Sequence, residues 1–139
     1  MPATPYLFFK GTCREAFATY ARVFGSPEPE IMTFSALPEA DRAQMPDLPD
    51  YAVMHASMKI GDSQVFGSDD LMGEFVPMAG CSLAATLPDE AATRAAFEAL
   101  SEGGEVRMPL SPMFWTPLFG TLTDRFGIRW MIMTEYAET

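Results

Sequence analysis

The sequence predicts an α+β fold made of two successive βαβββ modules. Three features carry that prediction. Two segments place apolar residues at helical spacing, short apolar or alternating runs flank each of them, and tight turns join the runs in pairs. With 139 residues and 15.3 kDa the chain suits one domain spanning 1–139. Its modules are expected at about 4–70 and about 79–135.

The first strand is the run Tyr6-Leu7-Phe8-Phe9, held between Pro5 and Gly11. Thr12-Cys13-Arg14-Glu15 has capping-box spacing, in which the Thr12 hydroxyl takes the amide of Glu15 and the Glu15 carboxylate returns to Thr12. Behind it Cys13, Ala16, Phe17, Tyr20 and Phe24 share a helical face, and Gly25 supplies the stop. Residues 30–35 read as a second strand. Residues 36–50 hold three prolines and four acidic side chains, which predicts a surface excursion with one helical turn after Pro38. A connection of that length usually covers a site or a partner chain. Residues 52–60 alternate, with Ala52, Met54, Ala56, Met58 and Ile60 on one face and Val53, His55, Ser57 and Lys59 on the other. Gly61-Asp62 is a favoured hairpin turn into residues 63–68.

After an irregular stretch at 69–80 the pattern repeats. Residues 81–87 read as a strand, followed by a helix that opens at Pro88-Asp89-Glu90, runs to about Leu100 and closes at Gly103-Gly104. Residues 105–110 form a strand, which Pro109 and Pro112 are expected to end ahead of Phe114-Trp115. The last pair, about 118–123 and 128–134, is joined by Asp124-Arg125-Phe126-Gly127, a type I turn preference. Arg14, Ala16, Phe17 and Tyr20 of the first helix correspond to Arg94, Ala96, Phe97 and Leu100 of the second.

Nine basic against nineteen acidic residues leave a net charge of −10 and a pI near 4.3. That field repels nucleic-acid phosphates and anionic membrane surfaces, so neither is expected as a partner. No apolar run reaches the roughly 18 residues of a membrane span, and the first residues lack a signal-peptide pattern. Two cysteines, Cys13 and Cys81, are too few for a disulfide framework, and a cytoplasmic location is expected. Eleven Met and eleven Phe suit either a softly packed core or a cavity lined with apolar and aromatic surface.

Several stretches carry a family resemblance: Pro5-Tyr6-Leu7-Phe8-Phe9 with Gly11, Glu15-Ala16, Tyr20 and Phe24-Gly25, then Val53-Met54-His55-Ala56, Ile60-Gly61-Asp62 and Ser68-Asp69-Asp70. The most specific is Phe114-Trp115, Phe119-Gly120, Asp124-Arg125-Phe126-Gly127 and Trp130-Met131-Ile132. Together they resemble the PhnB-like branch of the glyoxalase/bleomycin resistance/dioxygenase (vicinal oxygen chelate) superfamily. The resemblance implies a cupped mixed sheet built from both modules, a site on its concave face and a homodimer. In metal-using members the first, fourth, fifth and eighth strands each give one His, Glu or Gln ligand to a divalent ion that polarises neighbouring substrate oxygens. Carried onto this chain, those positions fall near Pro5 (Thr4 or Tyr6 with a one-residue slip), at Phe66, at Ser82 and at Met131. These residues are not a ligand set, so neither a metal nor another cofactor is expected.

His55, on a strand that gives no family ligand, reads either as a polar anchor or general base, or as a histidine hydrogen-bonded within the structure. Trp115 fits a pocket wall, an interface or the core. Arg129 should share a face with Met131 and Met133, opposite Trp130 and Ile132, where it holds an anionic group or simply ends a strand. Cys13 lies where a helix dipole lowers a thiol pKa, although its apolar face favours an inert core thiol. Asp69-Asp70 with Glu74 reads as a solvated turn. The expected function is binding of a small apolar or aromatic molecule in a dimer pocket formed around His55, Phe66, Ser82, Trp115, Arg129 and Met131. The alternatives are a metal-dependent or His55-assisted lyase, isomerase or dioxygenase, and a structural partner that docks through residues 36–50. Methyl transfer, a label carried by relatives of this family, is disfavoured. Its usual cofactor site needs a glycine-rich loop between a strand and a helix, whereas Gly103-Gly104 follows a helix.

Overall fold

The computed structural model describes residues 1–45 and 48–136. Its elements are β1 (Tyr6–Phe9), α1 (Cys13–Phe24), β2 (Glu30–Thr33), a 3-10 turn (Phe34–Ala36), α2 (Glu39–Arg42), β3 (Val53–Ile60) and β4 (Ser63–Asp69), then β5 (Leu83–Leu87), α3 (Glu90–Ser101), β6 (Glu105–Met113), β7 (Thr116–Thr123) and β8 (Arg129–Thr134). They form two four-stranded mixed sheets, ordered β1-β4-β3-β2 and β5-β8-β7-β6, so the α+β class and the doubled βαβββ order hold. The chain divides into two compact units, Met1–Phe75 and Val76–Thr139.

In the first unit α1 covers one face of its sheet. Leu7, Gly67, Ala56 and Ile31 are successive cross-strand partners, and Phe17 of α1 presses on that row. A Cβ at Gly67 would stand 2.8 Å from the Phe17 ring, so the strand needs glycine there for the ring to reach the sheet. Phe9, Phe17 and Tyr20 are fully buried beneath the helix. The strict alternation expected for β3 fails at Val53, which is buried. The β2–β3 register shifts between Met32 and Thr33, and the Val53 amide turns to the carboxylate of Asp69.

The capping box is not formed. Thr12 makes no side-chain cap; Asp69 Oδ1 instead accepts the amides of Gly11 (3.1 Å) and Cys13 (3.0 Å), and its Oδ2 takes Val53 N–H at 3.0 Å. A carboxylate from β4 thus does the work expected of Thr12, and ties the β1–α1 loop, α1 and β3 at one point. Asp69 is a structural clamp rather than part of a solvated turn. The excursion after Phe34 contains the one turn of α2 behind Pro38, fastened by an Arg42–Asp50 ion pair of 2.9 Å. Pro46 and Asp47 of this stretch lie outside the described residues.

In the second unit Asp89 caps α3 through Ala92 N–H at 2.7 Å. Phe97 of α3 lies on Gly120 as Phe17 lies on Gly67, with an added Cβ 2.7 Å from the ring. The β7–β8 turn is organised by Asp124. Its Oδ1 accepts the amides of Phe126 (2.9 Å) and Ile128 (3.0 Å), and its Oδ2 accepts the indole N–H of buried Trp130 (2.9 Å). One expectation fails here: Pro109 and Pro112 do not end the strand, and β6 continues to Met113. It is an edge strand whose register against β7 shifts at three places, and a residue without an N–H is tolerated there.

Candidate functional site

Strand parity decides which side chains meet a ligand. The face of the first sheet opposite α1 carries Tyr6, Phe66, Ser57 and Glu30 as one row of cross-strand partners. Phe8 partners Ser68 in the next row, and Met32 partners His55. This face is aromatic. The Tyr6 ring centroid lies 5.1 Å from Phe8, 5.7 Å from His55 and 6.3 Å from Phe66, and the His55 and Phe66 rings are 5.1 Å apart. The Tyr6 hydroxyl sits 3.2 Å from His55 Nδ1. In the tautomer where Nδ1 accepts from the phenol, the imidazole proton is on Nε2. Tyr6, Phe8 and Met32 are exposed, and His55 and Phe66 are half-buried, so a flat apolar ligand finds ring surface with one polar tip.

The corresponding face of the second sheet carries Thr121 and Phe119 on β7, Arg129, Met131 and Met133 on β8, and Ala84 and Thr86 on β5. Trp130 and Ile132 alternate with these and are buried under α3. Trp115 stands at one end, 5.3 Å from Phe119, with the almost fully exposed Phe114 beside it. Arg129 lies toward the other end, across from Thr123.

Of the residues expected to form the site, His55 and Phe66 are thus in contact on the first sheet. Met131 and Trp115 share the second face through Phe119 and Met133, and Arg129 is farther along it. Ser82 sits one residue before β5, and the residue directly across from Met131 is Ala84. Sequence reasoning passed over Tyr6 as a binding residue because all four residues of β1 are apolar or aromatic. Only the position of α1 separates outward Tyr6 and Phe8 from inward Leu7 and Phe9.

The family's metal chemistry can be tested on the donors. The four strands that supply ligands place Tyr6, Phe8, Gln64, Phe66, Ser68, Ala84, Thr86, Arg129, Met131 and Met133 on these faces, with neither a histidine nor a carboxylate. Among the described residues no group of three or more His, Cys, Asp or Glu converges. One amide, hydroxyls, thioethers and a guanidinium do not fit a borderline divalent ion. Cys13 is no nucleophile either. Burial pushes its thiol up to about 12, the Asp69 carboxylate adds to the rise, and Arg14 opposes it.

A tandem pair of βαβββ modules, each a four-stranded mixed sheet with one long helix, defines a glyoxalase-like protein of the vicinal-oxygen-chelate fold. As a likeness of fold alone, a glyoxylase/bleomycin resistance protein/dioxygenase domain from Frankia sp. EAN1pec superposes with a TM-score of 0.66 at 10% identity, covering 100% of this chain and 94% of that one. The family model described as 3-demethylubiquinone-9 3-methyltransferase matches residues 2–133. The chain belongs to that family, the PhnB-like branch of the superfamily. Protein YjdN of Escherichia coli (strain K12) is 30% identical over 138 residues, 95% of this chain and 94% of that protein. Protein PA1353 of Pseudomonas aeruginosa is 36% identical, with a TM-score of 0.85 over 97% of this chain and 98% of that one. A PhnB protein from Bacillus cereus is 25% identical, with a TM-score of 0.78 over 97% and 100%.

Proposed function

We propose that this protein binds a small apolar or aromatic molecule without the superfamily's metal ion, and does so as a homodimer. The observation that carries the reading is the Tyr6–His55–Phe66 cluster, three rings in mutual contact on the sheet face opposite α1, with the Tyr6–His55 hydrogen bond as its polar tip. Such clusters serve flat ligands through stacking and edge contacts, each about 1 kcal/mol beyond simple burial. Exposed Tyr51, Met72, Phe75, Val76 and Phe114 supply the apolar surface that favours self-association. Calorimetric titration of neutral aromatic compounds tests it. Binding that Tyr6→Ala and His55→Ala weaken at least tenfold is the expected result. If no aromatic compound binds, or if protein purified without an affinity tag carries one equivalent of a divalent metal, the reading fails.

A His55-assisted reaction is the second reading, favoured by the same 3.2 Å contact, because a phenol–imidazole pair can relay a proton. Under it, His55→Gln abolishes turnover while leaving ligand affinity within a few-fold. Methyl transfer, which the family description names, is tested separately. Gly104 lies between α3 and β6, where a Cβ would collide with the Thr123 carbonyl, so its role is close packing. Titration with S-adenosylmethionine is expected to give no heat of binding, and tight binding would replace the sequestration reading.

A further inference from the structure

We infer that the face of the second sheet opposite α3 holds a site for the oxyanion of a small molecule, carboxylate or phosphoryl, formed by Arg107, Arg129 and the hydroxyl of Thr121. Thr121 partners Met131 and Thr123 partners Arg129, so Arg129 is the diagonal neighbour of Thr121 on one face. The register shift between Val106 and Met108 places Arg107 in a bulge opposite Leu122 and Thr121. Its guanidinium reaches the Leu122 carbonyl at 3.1 Å.

Three polar atoms at this place are buried and have no hydrogen-bond partner among the described residues: Arg107 Nε, Arg129 Nε and Thr121 Oγ1. Thr121 is only 6% exposed, so its hydroxyl cannot turn to bulk water. Buried polar groups are almost always satisfied, and three orphans together ask for a common partner. No ion pair joins either guanidinium to a carboxylate among the described residues. In a chain of net charge −10 two neighbouring arginines could easily have been given one. Burial and then the charge of Arg129 lower the Arg107 pKa, and Glu105 acts in the opposite sense, which places the two cations within electrostatic reach of each other. An oxyanion relieves that repulsion and accepts from all three groups, and guanidinium forks match its geometry. Met108 and Met131 flank Thr121 as its cross-strand partners on either side, and Phe119 and Met133 follow along the sheet, so the apolar body attached to the anion lies on thioether and ring surface.

This site lies on a different sheet from the aromatic cluster and can fail or stand without it. The test titrates benzoate, phenyl phosphate, neutral benzamide and inorganic phosphate into the wild-type protein, Arg129→Gln, Arg129→Lys and Thr121→Val. We expect an anion to bind at least tenfold more tightly than benzamide, with the margin falling as salt rises. Arg129→Gln is expected to erase that margin while leaving benzamide affinity unchanged, and Arg129→Lys, which keeps the charge should the Gln variant fold poorly, to retain part of it. Whichever anion gains more, benzoate or phenyl phosphate, identifies the oxyanion. Equal affinity for benzoate, phenyl phosphate and benzamide, or a preference that survives Arg129→Gln, overturns the inference. Binding of inorganic phosphate with no binding of benzamide would sustain this site and sink the aromatic reading. Binding of benzamide with no gain for either benzoate or phenyl phosphate would do the opposite.

Discussion

Single side chains set the chemistry of this protein through what lies beside them. Tyr6 and His55 are separated by 49 positions and meet at 3.2 Å. Removing only the hydroxyl by Tyr6→Phe keeps the ring, so we expect stability within about 1 kcal/mol of wild type, with a loss of affinity confined to ligands that carry a polar group. Cys13 offers a pH-dependent signature. Its folded-state pKa of about 12 lies above the roughly 8.5 of an unfolded thiol. Its contribution is therefore complete below pH 8.5 and declines as pH rises toward 12, because only the unfolded chain releases the proton easily. By linkage this amounts to about 2 kcal/mol between pH 8 and 10. Denaturant unfolding at the two pH values should show that loss in the wild type and lack it in Cys13→Ala. Thiol titration of the native protein at pH 8 should modify exposed Cys81 and spare Cys13.

At the scale of elements, helix and sheet meet through ring-on-glycine contacts. An added methyl at Gly120 meets the Phe97 ring at 2.7 Å and the Met108 carbonyl at 3.0 Å. Because the second obstacle is backbone, Gly120→Ala should cost about 1–3 kcal/mol, and Phe97→Leu in the same chain should restore part of it. Asp69 binds the β1–α1 loop, α1 and β3 through three amide hydrogen bonds. Asp69→Ala leaves those donors without their acceptor and should lower stability by about 3 kcal/mol, against little change for Asp70→Ala, whose carboxylate among the described residues accepts from the exposed amide of Met72. Thermal or urea unfolding distinguishes the two. The run through Pro109 and Pro112 belongs to this scale as well. Proline predicts a break where a strand is paired on both sides, and sequence alone does not say that β6 lies at an edge.

For the whole molecule, homodimerisation is the property to measure. Sedimentation should give twice the 15.3 kDa chain mass at micromolar concentration, and Phe114→Asp, at a ring 92% exposed in the single chain, tests whether that ring is covered in the assembly. A dimer unchanged by this charge would place the interface elsewhere, and a monomeric wild type would end the proposal. No helix among the described residues is long and apolar enough to cross a membrane.

Much of this was fixed by local pattern. Apolar periodicity, the glycine stops and the Asp124–Gly127 turn determine two helices, two hairpins and the βαβββ repeat, because these depend on neighbours within a few residues. The lack of histidine and carboxylate at the family's ligand positions was also legible from residue types alone. Other features depend on distance in the chain. Asp69 rather than Thr12 caps α1, β6 survives its prolines at an edge, Tyr6 turns toward His55, and Arg107, Thr121 and Arg129 come together across three strands. Each follows from strand register and from which face a helix covers. Register is a property of paired strands, so only the tertiary structure could decide them.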